Sequence, residues 1–143
     1  MELAAISKVL GGRKMLQADI KSPMDLVELS RRGISRAALN HLIRYAGLTL
    51  TQMASLLPIT ERTIQRYDFN TFFNAAVSEQ ILAIARLFAR GEQVFGAKSK
   101  FLNWLHAENP ALARHKPFDL LASRFGSDMV NDELGRIEHG LIS

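Results

Sequence analysis

The side chains best suited to recognition chemistry in this sequence are Arg62, Gln65 and Arg66, inside the stretch Leu50–Tyr67, LTQMASLLPITERTIQRY. Arg and Gln carry forked polar groups that match guanine and adenine edges in the major groove of DNA. Arg62 and Arg66 are four residues apart on a helix, where like charges repel by about 0.2–0.5 kcal/mol. A phosphate backbone would offset that repulsion. Thr51 and Gln52, at the amino end of the preceding helix, can reach a phosphate with help from the unpaired N–H groups there. Thr60 and Thr63 complete the set expected to face DNA.

Other chemistry is absent from the pattern. His41, His106, His115 and His139 are not paired at metal-ligand spacing, and there is no His-Glu-x-x-His. Ser35, Ser55 and Ser99 lie in no nucleophile-elbow context. Gly11-Gly12 lacks the rest of a phosphate loop. With no Cys, disulfides and Cys-based zinc sites are excluded. No catalysis, metal or cofactor is expected.

The elements that must position the polar set are two short helices and a tight turn. Thr49 caps the first, with Gln52 at capping-box spacing. Pro58 ends it, and Thr60 caps the second, expected from Glu61 to about Tyr67. Leu50, Met53 and Leu57 form the inward stripe of the first helix. Ala54 is the small residue where the backbones approach, Ile59 the plug after the turn, and Ile64 the inward residue of the second helix. Pro58 stands where a glycine is usual. Helical hairpins that never meet DNA share this pattern, so the stretch alone leaves both readings open.

The rest of the chain also reads as helix, with no clean period-two alternation. Ser22-Pro23-Met24-Asp25 starts one helix, which stops near Gly33. Ser35 caps the next, with Leu39, Leu42, Ile43 and Ala46 inward and Gly47 as its stop. Residues 68–76 carry no clear signal. Ser78 opens a helix closing at Gly91, and another covers roughly 98–106. Pro110 and Pro117 bracket a loop, with rigid turns at Asn109-Pro110 and Lys116-Pro117. Two last helices, about 117–124 and 127–139, are expected on either side of Gly126. The expected division is an N-terminal arm at 1–21, open to being flexible and basic through Gly11-Gly12-Arg13-Lys14, then domains at 22–76 and 77–143.

The 143 residues are 48% hydrophobic, enough for a real core. Met1–Leu10 lacks a signal-peptide pattern, and no apolar run approaches the roughly 20 residues a membrane span needs. A soluble, cytoplasmic protein is expected. The net charge of +4 is uneven. Residues 1–66 hold ten Lys/Arg against five Asp/Glu, while residues 117–143 hold two against five. A basic front and an acidic tail suggest two surfaces for two partners.

The stretch GLTLTQMASLLPITERTIQRY, with Gln52, Ala54 and Thr63-Ile64-Gln65-Arg66, resembles the helix-turn-helix of Xre-type regulators. An ordered series follows it: Val94-Phe95-Gly96, Phe101-Leu102-Asn103-Trp104-Leu105, Asn109-Pro110-Ala111-Leu112, Pro117-Phe118-Asp119-Leu120-Leu121, Gly126, Val130, Leu134 and Arg136-Ile137-Glu138-His139-Gly140. That series resembles the toxin-binding domain of Xre/MbcA/ParS antitoxins. The two blocks cover about residues 22–143.

The resemblance implies an all-α fold, an Xre-like helix-turn-helix domain followed by a small helical toxin-binding domain. It implies an antitoxin of a type II toxin–antitoxin system. The expected partners are a RES-domain toxin that depletes NAD, operator DNA and a second copy of the chain, with no membrane. The carboxyl-terminal end is expected near the toxin's active site. On this basis the toxin-binding residues are expected to be Arg114, His115, Lys116, Asp132, Arg136, His139, Gly140, Leu141, Ile142 and Ser143. One departure is visible: Ala113-Arg114-His115-Lys116 replaces a stretch in which family members often carry glycines. Trp104, the only Trp, is expected in the core beside Phe101 and Leu105. A stand-alone dimeric repressor without a toxin partner is the alternative.

Overall fold

The computed structural model describes residues 2–140. Among them the regular elements are all helical: α1 (Glu2–Val9), α2 (Gly12–Leu16), α3 (Pro23–Arg32), α4 (Arg36–Ala46), α5 (Leu50–Ala54), α6 (Glu61–Gln65), α7 (Ala75–Phe95), α8 (Lys98–Leu105) and α9 (Arg124–Gly140), with 3-10 turns at Pro110–Leu112 and Pro117–Leu120. The chain divides into two compact units, Met1–Ala89 and Arg90–Ser143. The division falls within α7, later along the chain than the expected boundary at 76/77.

In the first unit, local caps set the helix starts. The Asp25 carboxylate accepts from the backbone N–H of Lys21 and Ser22, at 2.8 and 3.2 Å, with Pro23 in the first turn of α3. Ser35 Oγ accepts from the Ala38 N–H at 3.1 Å to start α4. Gly47, with φ 69°, closes it in the left-handed conformation that glycine adopts without strain. The core gathers Ile34, Leu39, Leu42, Met53, Ile64, Phe73 and Ile81, all fully buried or nearly so. Each such side chain stabilises the fold by about 1.5–3 kcal/mol.

The segment expected as an arm at 1–21 is instead built into this unit. Ile6, Val9, Leu10 and Leu16 are buried. The His41 ring bonds the Val9 carbonyl through Nδ1 at 3.0 Å, and the Ser35 hydroxyl donates to the Met15 carbonyl at 3.2 Å. The Arg32 fork donates to the carbonyls of Leu16 and Gln17, at 2.7 and 3.2 Å. A flexible basic arm is therefore corrected: two short helices broken at Gly11-Gly12 pack against α4.

Residues 68–74, silent in the sequence, are held by bonds to distant positions. The N–H groups of Arg36 and Ala37 donate to the carbonyls of Thr71 and Phe69. The Phe73 N–H donates to the Ile34 carbonyl at 2.9 Å. Asn74 Oδ1 then accepts from the Val77 N–H, so α7 starts before Ser78. Ser78 is no cap. Buried in the first turns of α7, it accepts from the Ile34 N–H at 2.9 Å and donates to the Phe73 carbonyl at 3.1 Å.

In the second unit, two glycines expected as breaks are close-approach positions. A Cβ on Gly91 would lie 2.2 Å from the Phe101 ring, and α7 runs on to Phe95. A Cβ on Gly126 would lie 1.9 Å from the Leu120 carbonyl oxygen. Helix α9 runs straight through Gly126, so the expected pair of helices at 117–124 and 127–139 becomes a 3-10 turn and one long helix. Gly126, Val130 and Leu134, four apart, form its buried face. Trp104 is half-buried, its ring 5.5 Å from Phe95 and 6.1 Å from Phe101.

Candidate functional site

The helix-turn-helix is built from residues that have two kinds of partner. Ile64 is fully buried and fixes α6 to the core, with Met53, Leu56 and Leu57 buried from the α5 side. Ala54 and Ile59 are only half-buried, so the plug of the turn is shared with Leu56 and Leu57. Thr60 Oγ1 accepts from the Thr63 N–H at 3.1 Å and pairs with the Thr63 hydroxyl at 2.8 Å. Thr49 and Gln52 form the expected capping box, the Thr49 N–H donating to Gln52 Oε1 at 2.9 Å. That bond turns the amide oxygen of Gln52 inward and leaves its NH2 donors for an outside acceptor.

Arg62, Gln65 and Arg66 are exposed, and their side chains have no hydrogen-bond or ion-pair partner among the described residues. Thr51 is exposed too, but its hydroxyl donates to Glu61 Oε1 at 2.7 Å. In this arrangement the Thr51 proton is not offered to a phosphate. Arg36 was not legible as part of the site. Its Nη1 donates to the carbonyls of Ile64 and Tyr67 and its Nε to Asn40 Oδ1 at 2.9 Å, so it closes the carboxyl end of α6. No local signal reveals a partner 28 residues away.

The second candidate region lies in the Arg90–Ser143 unit. Arg114, His115 and Lys116 are exposed in the loop between the two 3-10 turns. Ala113 and Arg114 have φ of 54° and 67°, the left-handed region that glycine favours. The chain thus keeps a glycine-like turn without glycines. Asn109 ties the loop together: its N–H donates to the His115 carbonyl and its own carbonyl accepts from the Arg114 N–H, at 3.1 and 2.9 Å.

Asp132, Arg136 and His139 are exposed on α9 and share one face by their spacing. Arg136 pairs with Glu133, its Nε at 2.7 Å from Oε1, and His139 Nε2 lies 3.9 Å from Glu138 Oε1. Gly140 is exposed at the end of the helix. Among the described residues no hydrogen bond or ion pair joins Asp132, Arg136 or His139 to Arg114–Lys116. Leu141, Ile142 and Ser143 lie outside the described residues.

Phe125 and Met129 continue the same face of α9 toward its start, 85% and 45% exposed. They were missed because an apolar residue on an amphipathic helix reads as inward. The irregular spacing was the available signal: Val130 and Leu134 define a buried row that excludes both. Among the described residues no group of three or more His, Asp or Glu stands close enough to hold a metal ion. No helix there is long and apolar enough to cross a membrane.

Comparison with known proteins assigns both regions. Residues 25–86 match the antitoxin Xre-like helix-turn-helix domain, and residues 90–140 match the antitoxin Xre/MbcA/ParS C-terminal toxin-binding domain. The chain belongs to the Xre family of antitoxins. It is similar to Antitoxin Xre of Yersinia enterocolitica (serotype O:8, biotype 1B), with 26% identity over 120 residues covering 82% of this chain and 81% of the relative. The all-α fold and the order of domains expected from the resemblance hold for this Xre-type chain. The second matched segment begins at Arg90, where the second compact unit also begins.

Proposed function

We propose that this Xre-type antitoxin neutralises a RES-domain, NAD-depleting toxin through its C-terminal unit and represses its own operon through α6. The DNA half rests on one observation: Arg62, Gln65 and Arg66 stand exposed and without partners on a short helix fixed at both ends. Such a helix enters a major groove with its base-reading side chains already placed. Thr60 and Thr63 bond each other and support the start of the helix, while the Gln52 amide supplies a phosphate donor. Catalysis has no role in this reading, and its setting is the cytoplasm.

The toxin half rests on the toxin-binding domain match and on the exposed face of α9. Phe125 and Met129 supply apolar area, and Asp132, Arg136 and His139 supply charge along the same face. Apolar anchors beside polar groups form the usual core and rim of a protein interface. Arg114, His115, Lys116 and the segment Gly140–Ser143 extend the toxin contact in this reading. The chain acts as a homodimer, as the two-fold symmetry of most operators favours.

Co-purification with the product of the adjacent reading frame tests the toxin half. A stable complex is expected, weakened at least tenfold by Phe125→Asp with Met129→Asp, since buried anchors dominate interface energy. A chain that binds DNA but shows no complex would leave a stand-alone repressor.

A further inference from the structure

We propose that Glu61 reads a base: its carboxylate, aimed by Thr51, accepts a hydrogen bond from the amino group of a cytosine in the major groove. The inference rests on the DNA-binding reading of α6. Glu61 is the first residue of that helix, and the amino-terminal residues of a recognition helix are those that meet base edges.

The Thr51 hydroxyl donates to Glu61 Oε1 at 2.7 Å and so joins the first turn of α5 to the first residue of α6. It occupies one carboxylate oxygen. The other, Oε2, has no hydrogen-bond partner among the described residues, and Glu61 is only half-buried. The tie also removes rotamer freedom in advance, so less is lost when a base is bound.

The charge selects the base. A carboxylate only accepts hydrogen bonds, and it is repelled by phosphate and by the acceptor atoms of guanine. Cytosine presents a lone amino donor in the major groove, whereas adenine places an acceptor beside its amino group. Glu61 and Gln65 are one helical turn apart on the same face, and Arg62 and Arg66 form the neighbouring row. Glu61 therefore sits among the side chains that read bases.

Binding selection from a pool of randomised duplexes, using the full chain, tests this. The wild type is expected to enrich cytosine at one fixed position. Glu61→Gln, which keeps an acceptor for Thr51, is expected to lower that preference roughly five- to tenfold and to shift it toward adenine. Thr51→Val keeps the charge, and it is expected to blunt the same preference while the thermal midpoint shows the fold intact. An unchanged preference in Glu61→Gln, with all duplexes bound more tightly by one factor, would overturn the proposal and leave DNA binding standing. A wild type that binds no duplex at low salt would overturn both.

Discussion

The guanidinium of Arg36, in the first turn of α4, donates to the backbone carbonyl of Ile64 near the end of α6. Helices of five residues do not hold their shape alone. In α6 the amino end is capped by Thr60 and tied through Glu61, and the carboxyl end is closed by a charged donor from another helix. A cation at this end also complements the helix dipole. The exposed row of Arg62, Gln65 and Arg66 owes its placement to a residue outside the motif.

Arg36→Ala is therefore expected to lower stability by about 1.5–3 kcal/mol, the range for hydrogen bonds to a charged group. Arg36→Lys is expected to recover only part, because an ammonium cannot reproduce the fork that reaches Ile64, Tyr67 and Asn40. Urea unfolding of the three proteins measures this. Equal stability of wild type and Arg36→Ala would contradict the role.

Ala113 and Arg114 both occupy the left-handed region, which costs a non-glycine residue about 1–2 kcal/mol. Ala113→Gly is expected to raise stability by up to about 1 kcal/mol, relieved strain outweighing the added freedom of the unfolded chain. The thermal midpoint measures this, and a fall on substitution would show that the loop carries no strain at Ala113.

Asp68 is held below the usual carboxylate range first by the Thr71 hydroxyl at 2.9 Å and then by the Asn70 N–H at 3.0 Å. A lowered folded-state pKa means that its contribution to stability is present above the ordinary value and is lost as pH falls through the lowered one. An NMR titration of the Asp68 carboxyl is expected to give a midpoint below that of an unbonded Asp. In Thr71→Val the midpoint is expected to rise. An unmoved midpoint would contradict the assignment.

Arg62→Ala with Arg66→Ala is expected to weaken operator binding and to flatten its salt dependence. With one phosphate neutralised fewer, the slope of log K against log salt becomes shallower by about 0.9. Fluorescence anisotropy across a salt series measures both. Unchanged affinity and slope would remove these residues from the DNA face.

Local signals carried much of this fold. Ser35, Gly47, Thr49 and Thr60 act through neighbours three or four residues away, so the starts and stops of α4, α5 and α6 were legible. Glycine was ambiguous for a physical reason. A missing Cβ serves a helix stop and a close approach equally, and only the tertiary contacts of Gly91 with Phe101 and Gly126 with Leu120 decide between them. Residues 68–74 had no periodicity because their backbone bonds go to Ile34, Arg36 and Ala37. The N-terminal helices were hidden because Gly11-Gly12 interrupts the apolar pattern that buries Ile6, Val9, Leu10 and Leu16. In the candidate site, the free polar row of α6 was legible by residue type. The partners of Thr51 and Arg36 were not, since they lie 10 and 28 residues away.

The most direct test of the central claim is growth of cells expressing the adjacent reading frame with and without this chain. That frame alone is expected to arrest growth and deplete NAD, and co-expression of the full chain to restore both. Arg62→Ala with Arg66→Ala is expected to rescue as well as the wild type when expressed from an unrelated promoter, because neutralisation belongs to the C-terminal unit. A harmless reading frame, or arrest that persists with the full chain present, would contradict the account.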